Sequence, residues 1–287
     1  MRLRSIITIG AGGAGLEAAL ASEADALAFT VADAGSGAAL LRQAARDGIT
    51  RARAAGKAAL VFVNHPRTHL LRDDLDALVV EGLNGVFLPH TVEPQDVRDL
   101  AVALREFEHT RGIEPGTVAA YPVVDTARGL LRAREVAQAA PRVAGLLFDG
   151  EGYATDIGAR NEEHGPRLAA ARGEVVAAAR AHEGFPLVAA SSLETTQLAH
   201  WGFAGILLPD ASGALAANAA FNPSAAAIGR AQETIASYEA ARAEGAWVGR
   251  AGGRVVDAHT ARGAHRTLRQ AGIETTDEPQ DADQPET

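Results

Sequence analysis

Two carboxylates, Asp125 and Asp149, each stand directly after an apolar run, Val118–Val124 before the first and Val143–Phe148 before the second. Between them Leu130, Leu131, Val136 and Ala137 are spaced for one buried helix face, and Pro141 ends the pattern. Strand, helix, strand, with an acid at the carboxyl end of both strands, is the arrangement by which parallel α/β proteins gather side chains into a crevice. Glu151 and Asp156 follow Asp149 closely, and Asp33 ends an earlier run. Acids crowded together repel unless a proton or cation is shared between them. Two readings follow: a hard-metal site on Asp125, Asp149 and Glu151, or N-caps on the helices that come next. Taken alone, the stretch favours caps, since Asp is a common cap.

The elements that must position these acids recur along the chain. Apolar runs lie at Ser5–Ile9, Ala26–Val31, Ala58–Asn64, Gly85–Pro89, Thr117–Val124, Val143–Phe148, Pro186–Ala190 and Ala204–Pro209. Helical patterns intervene at Gly15–Ser22, Ala38–Ala55, Asp73–Glu81, Pro94–Thr110, Ala127–Ala139, Gly165–Glu183 and Thr195–Trp201. Strands alternating with helices predict a parallel sheet with right-handed crossovers, and eight of them predict closure into a (β/α)8 barrel over residues 1–222. Asn222-Pro223-Ser224 then signals a helix entry. A long helix, a Gly-rich break and a last helix make residues 223–272 a C-terminal arm or lid, reaching a neighbouring subunit. The remaining residues, 273–287, are rich in Asp, Glu, Gln, Pro and Thr and are expected to be disordered.

Composition excludes several classes. No apolar run is long enough to cross a membrane, and the start of the chain has no signal-peptide pattern. There is no cysteine, hence no disulfide, thiolate metal site or cysteine nucleophile, and a cytoplasmic location is the expectation. A formal charge of −9 argues against broad nucleic-acid binding.

Gly10-Ala11-Gly12-Gly13-Ala14-Gly15 fits GxGxxG between a strand and a helix, and Asp33 follows at a distance suited to a ribose hydroxyl. This supports a dinucleotide-dependent oxidoreductase as a minority reading. The match ends at the first βαβ unit, and barrel-like spacing weighs against it.

The order of several blocks resembles the citrate lyase β subunit-like family of the HpcH/HpaI aldolase group. Arg4-Ser5 is similar to its opening, ALASEADALAFTVADA (19–34) to its second strand, LVFVN (60–64) and GVFLPH (85–90) to its third and fourth. PVVDTARG corresponds to "LIETARG", LLFDGEGYATDIGA to "LAFGAEDLAADLGA", AFNPS to "AFTPS", and RVVDAHTARGAHRTLRQAG to the closing helix. The resemblance implies a TIM barrel, a trimeric or hexameric homo-oligomer, and Mg²⁺-dependent cleavage or formation of a carbon–carbon bond in a CoA ester or small hydroxy or keto acid. It implies metal ligation near Asp125, Asp149 and Glu151, substrate contacts at Gly10, Asn64, His90 and Arg128, and catalytic roles for Arg128, Asp33 and Asp257.

The chain departs from the family where that chemistry sits. Asp125 replaces a Glu and is one methylene shorter; a ligand Asp falls on Gly152; an arginine is Phe62; a lysine is His90; and Thr30 and Ala32 replace two acids. Returning an acid with Gly152→Asp is expected to tighten the metal. His65, His69 and His90 follow the third and fourth strands and could converge as ligands, but read first as solvated loop histidines; Ser191, Ser192 and Glu194 read as a helix cap, and Arg132, Arg134 and Arg142 as a solvated helix face. Arg128 reads as an anion ligand or as a partner of Asp125 or Asp149. A divergent lyase ranks narrowly above a catalytically silent barrel that serves as a CoA-ester or protein-binding scaffold.

Overall fold

A computed structural model describes residues 2–10, 13–32, 37–159, 168–189, 194–273 and 275. The chain divides into two compact units, Leu3–Phe221 and a second made of the first two residues with 222–287. In the first unit eight short parallel strands follow one another around a closed barrel: β1 Ser5–Ile9, β2 Ala26–Thr30, β3 Ala58–Phe62, β4 Leu83–Leu88, β5 Ala119–Val124, β6 Gly145–Phe148, β7 Phe185–Val188 and β8 Gly205–Leu208. β1 pairs with β2 in register Ile6 to Ala26 and closes on β8 through Ile6 to Leu207. This is a (β/α)8 TIM barrel. It is not the open sheet on which a two-halved dinucleotide site depends.

Alternation along the strands sorts the core into two layers. Leu60 and Phe62 of β3, Phe87 of β4, Tyr121 and Val123 of β5, and Leu147 of β6 fill the barrel interior. Their neighbours Val61, Val86, Leu88, Val124, Leu146 and Phe148 face outward against the helices.

The helices of the first unit are α1 Leu16–Ala21, α2 Ala38–Ala54, α3 Leu71–Leu78, α4 Pro94–Thr110, α5 Ala127–Leu131, α6 Ala133–Ala137, α7 Gly150–Asp156, α8 Ala169–Arg180, α9 Thr195–His200 and α10 Ala214–Phe221. The single helix anticipated over Ala127–Ala139 is two short ones meeting at Arg132. Two helices lie where no pattern was read. α7 carries two glycines, and α10 (ALAANAAF) is apolar almost all round, so neither shows an amphipathic stripe.

The second unit contains α11 Ala225–Ala243, a two-stranded antiparallel hairpin of β9 Gly249–Ala251 and β10 Arg254–Val256, and α12 Ala258–Ala271. Ile235 of α11 packs with Ala264 and Leu268 of α12, and Tyr238 packs with Val256 and Ala261. The hairpin strand β9 was not anticipated. Of the stretch read as a disordered tail, residues 274 and 276–287 lie outside the described residues. No described helix is long and apolar enough to cross a membrane.

Candidate active site

β5 ends at Val124, so the next residue in its alternation, Asp125, turns in at the carboxyl end of the barrel. Its residue exposure is only 5%. Thr126, not Asp125, caps α5: its hydroxyl accepts from the Gly129 N–H. Asp125 is thus released from the capping role that its position suggests. Its Oδ2 accepts from the His90 main-chain N–H at 2.9 Å and lies 2.8 Å from His90 Nδ1. Its Oδ1 is buried and, among the described residues, has no hydrogen-bond partner. Burial pushes this carboxyl above its usual range; the His90 N–H and imidazole oppose that, and the nearby charge of Asp149 adds to it.

His90 sits just beyond β4 with φ of 55°, a left-handed conformation that few non-glycine residues hold. Its side chain is 65% exposed. The turn therefore brings both its N–H and its ring onto Asp125.

Asp149 ends β6 and caps α7, its Oδ1 accepting from the N–H groups of Glu151 and Gly152, both at 3.1 Å. The cap reading holds for Asp149 and fails for Asp125. At Gly152, where the family resemblance sets an acid, the two neighbouring acids stand close. A Cβ there would stand 2.9 Å from Asp149 Oδ2 and 3.1 Å from Asp125 Cβ. An Asp side chain there would meet the capping carboxylate of Asp149 on its way to a metal.

The other predicted residues separate. Glu151 is exposed in the first turn of α7. Asp156 accepts from the Ala127 N–H at 2.8 Å, tying the end of α7 to the start of α5. Arg128 pairs with Glu93, Nη2 to Oε1 at 2.7 Å, and so with neither acid that its sequence position suggested. Asn64 is buried, and both its N–H and its amide donate to Asp74 Oδ2, at 2.7 and 2.8 Å. Gly10 is exposed at the end of β1. Asp257 caps α12 in the second unit, accepting from the Thr260 N–H at 2.9 Å. Asp33 lies outside the described residues, as do Ser191 and Ser192.

Arg142 and His65 differ from their first reading. Arg142 is a buried partner of Glu108, at 2.9 Å, and does not belong to a solvated face. His65 caps the short 3-10 turn Pro66–Thr68 by accepting from Arg67 N–H. Glu194 occupies the N-cap position of α9 without a side-chain bond. Sequence reasoning missed the His90–Asp125 pair, since nothing local joins residues 35 positions apart.

Among the described residues no three His, Asp or Glu side chains are gathered to hold a metal. A smaller donor set is present. Mg²⁺ keeps several waters and is held through one or two carboxylates plus substrate oxygens. Asp125 supplies a buried oxygen with no other partner, and Asp149 is near enough for its charge to act on Asp125. This pair fits a hydrated Mg²⁺; the orphaned Oδ1 is the atom that a cation would satisfy.

The family model of HpcH/HpaI aldolase/citrate lyase matches residues 9–211. The citrate lyase subunit beta of Leuconostoc mesenteroides subsp. cremoris is 27% identical over 228 residues, 74% of this chain and 73% of its own. A (3S)-malyl-CoA thioesterase of Cereibacter sphaeroides is 28% identical over 262 residues, 84% of this chain and 85% of its own. In fold the chain is similar to the CitE protein of Mycobacterium tuberculosis, solved with magnesium, acetoacetate and coenzyme A. That structure has a TM-score of 0.64 and 22% identity, and covers 93% of this chain and 97% of its own.

Proposed function

The chain belongs to the HpcH/HpaI aldolase/citrate lyase family, and from that premise we propose that it is a divergent carbon–carbon lyase acting on a CoA ester or a small hydroxy or keto acid. Mg²⁺ would be held by Asp125 with Asp149, or with Glu151 in the first turn of α7. One observation carries the reading: Asp125 is a buried carboxylate with an unpartnered oxygen, next to a second acid. An unmet buried acceptor costs about 1–3 kcal/mol, a cost that a bound cation would offset.

In a retro-aldol cleavage the bond between C2 and C3 of a 3-hydroxyacyl unit breaks. The C3 hydroxyl loses its proton and becomes the carbonyl, while C2 takes the bonding pair as an enolate and is then protonated. A bound Mg²⁺ supplies positive charge for the oxygens on which negative charge develops. The chain's own residues set the geometry. His90 occupies Asp125 Oδ2 from two directions, and Oδ1 stays buried. The α7 N–H groups hold Asp149 Oδ1 in one orientation. The names of the relatives support the CoA-ester or carboxylate class. A homo-oligomer, trimer or hexamer, in which the arm with Asp257 reaches a neighbouring subunit, belongs to the same proposal.

The test is a coupled assay of released acyl-CoA or keto acid on a panel of 3-hydroxyacyl-CoA esters, with Mg²⁺, for wild type and Asp125→Asn. Turnover by wild type that the variant lacks supports the lyase. No turnover by wild type on any ester leaves the barrel a binding scaffold.

A further inference from the structure

The carboxyl end of the barrel has two unlike sides. Asp125 and Asp149 follow β5 and β6. Phe62 ends β3 on the inward register, half-buried, and stacks on Phe87 with ring centroids 4.6 Å apart and planes 24° from parallel. Phe87 in turn meets Tyr121 at 5.5 Å. These rings form a column inside β3, β4 and β5, and Phe62 is its partly exposed end.

Arg67, in the turn after β3, is taken up by Glu93 and Asp96. Among the described residues the eight strands carry neither lysine nor arginine, and Arg128, just beyond β5, is turned to Glu93. A carboxylate laid on Phe62 would lose water and gain no partner, which is costly, whereas an apolar group there would be rewarded in proportion to its buried area. β3 and β5 are separated by one strand, so their ends lie about 10 Å apart. That is the span of a small molecule with a polar head at one end and a hydrocarbon group at the other.

We infer that Phe62 determines specificity and that the substrate carries an uncharged alkyl or aryl substituent on the side away from the acids. This rests on the lyase reading above for the polar head and adds the chemistry of the tail. A second carboxylate in that place is selected against.

Phenylpyruvate and 2-oxoglutarate share the same keto-acid head and differ in an aryl against a carboxylate tail. Calorimetric titration of each into the full chain, with and without Mg²⁺, separates the two ideas. The expected result is Mg²⁺-dependent binding with phenylpyruvate at least tenfold tighter. Phe62→Leu should weaken phenylpyruvate several-fold and leave 2-oxoglutarate unchanged, and Phe62→Arg should reverse the order, with thermal melts confirming that both variants fold. If both acids bind in a Mg²⁺-dependent way and 2-oxoglutarate is equal or tighter, the specificity inference is wrong and the lyase reading stands. If neither binds, the specificity inference is overturned, and the coupled assay on CoA esters decides the lyase reading by itself.

Discussion

Glu108 and Asp125 are both buried carboxylates in the same barrel unit, and their surroundings are opposite. Glu108 is fully enclosed, yet every lone-pair direction is used. Oε1 accepts from Val118 N–H and Arg142 Nη1, and Oε2 accepts from Gly116 N–H and Arg142 Nη2. Burial works against its charge, but the Arg142 guanidinium and the two N–H groups hold the carboxyl below its usual range. Asp74 is treated alike by Arg42 and Asn64. Asp125 keeps one oxygen unmet beside a like charge, and burial drives its carboxyl upward. A satisfied buried acid is part of the scaffold. An unsatisfied one stores energy for a ligand.

The comparison is broken most severely by Glu108→Ala. It strands Arg142 and two N–H groups, and the loss of a buried partner is expected to cost about 3–5 kcal/mol in a denaturant melt. A loss below about 1 kcal/mol would show the network to be dispensable.

Gly152→Asp comes next. Crowding against Asp149 Oδ2 and the loss of its cap are expected to destabilise by about 1–3 kcal/mol and to weaken Mg²⁺ binding. Tighter metal binding at unchanged stability would show that the helix yields easily.

Asp125→Asn sharpens the contrast, because removing a buried charge that stands beside Asp149 should leave stability unchanged or raise it by about 1 kcal/mol at pH 7. The pH dependence has a definite sign. A carboxyl raised in the folded state binds its proton more readily there, so stability falls as pH rises from the ordinary Asp value, about 3.9, through the raised one. The advantage of Asn should therefore shrink as the pH is lowered into that window. Glu108 acts in the other sense: its contribution is full above the ordinary Glu value, about 4.3, and fades as pH falls through its lower folded value. Asn at 125 losing ground as pH rises would contradict the assignment.

Arg128→Ala should matter least for stability, below about 1 kcal/mol, since the pair with Glu93 is exposed. A larger loss in the melting midpoint would show that this pair holds α4 and α5 together.

The barrel was legible because eight apolar runs separated by helical patterns leave few other ways to bury both faces of a sheet. The acids at the strand ends were legible for the same reason, since alternation and strand length place them. What separates Asp125 from Asp149 was not. A threonine one residue later takes the cap from Asp125, and no such neighbour follows Asp149. The partner of Asp125 comes from a turn after the previous strand, held in a left-handed conformation that sequence alone does not declare for histidine. Arg142 was misread for a similar reason: its partner Glu108 lies on α4, 34 residues earlier in the chain. Gly152 looked like a lost ligand, and only the packing shows it as the place where two carboxylates come close.

The central claim is that the unmet oxygen of Asp125 belongs to a cation. Calorimetric titration of Mg²⁺ into wild type and Asp125→Asn, both in the presence of phenylpyruvate, tests it most directly. The account predicts a measurable binding isotherm for wild type and at least a hundredfold loss of affinity in the folded variant, about 2.7 kcal/mol. Equal Mg²⁺ affinity in the two proteins would contradict it.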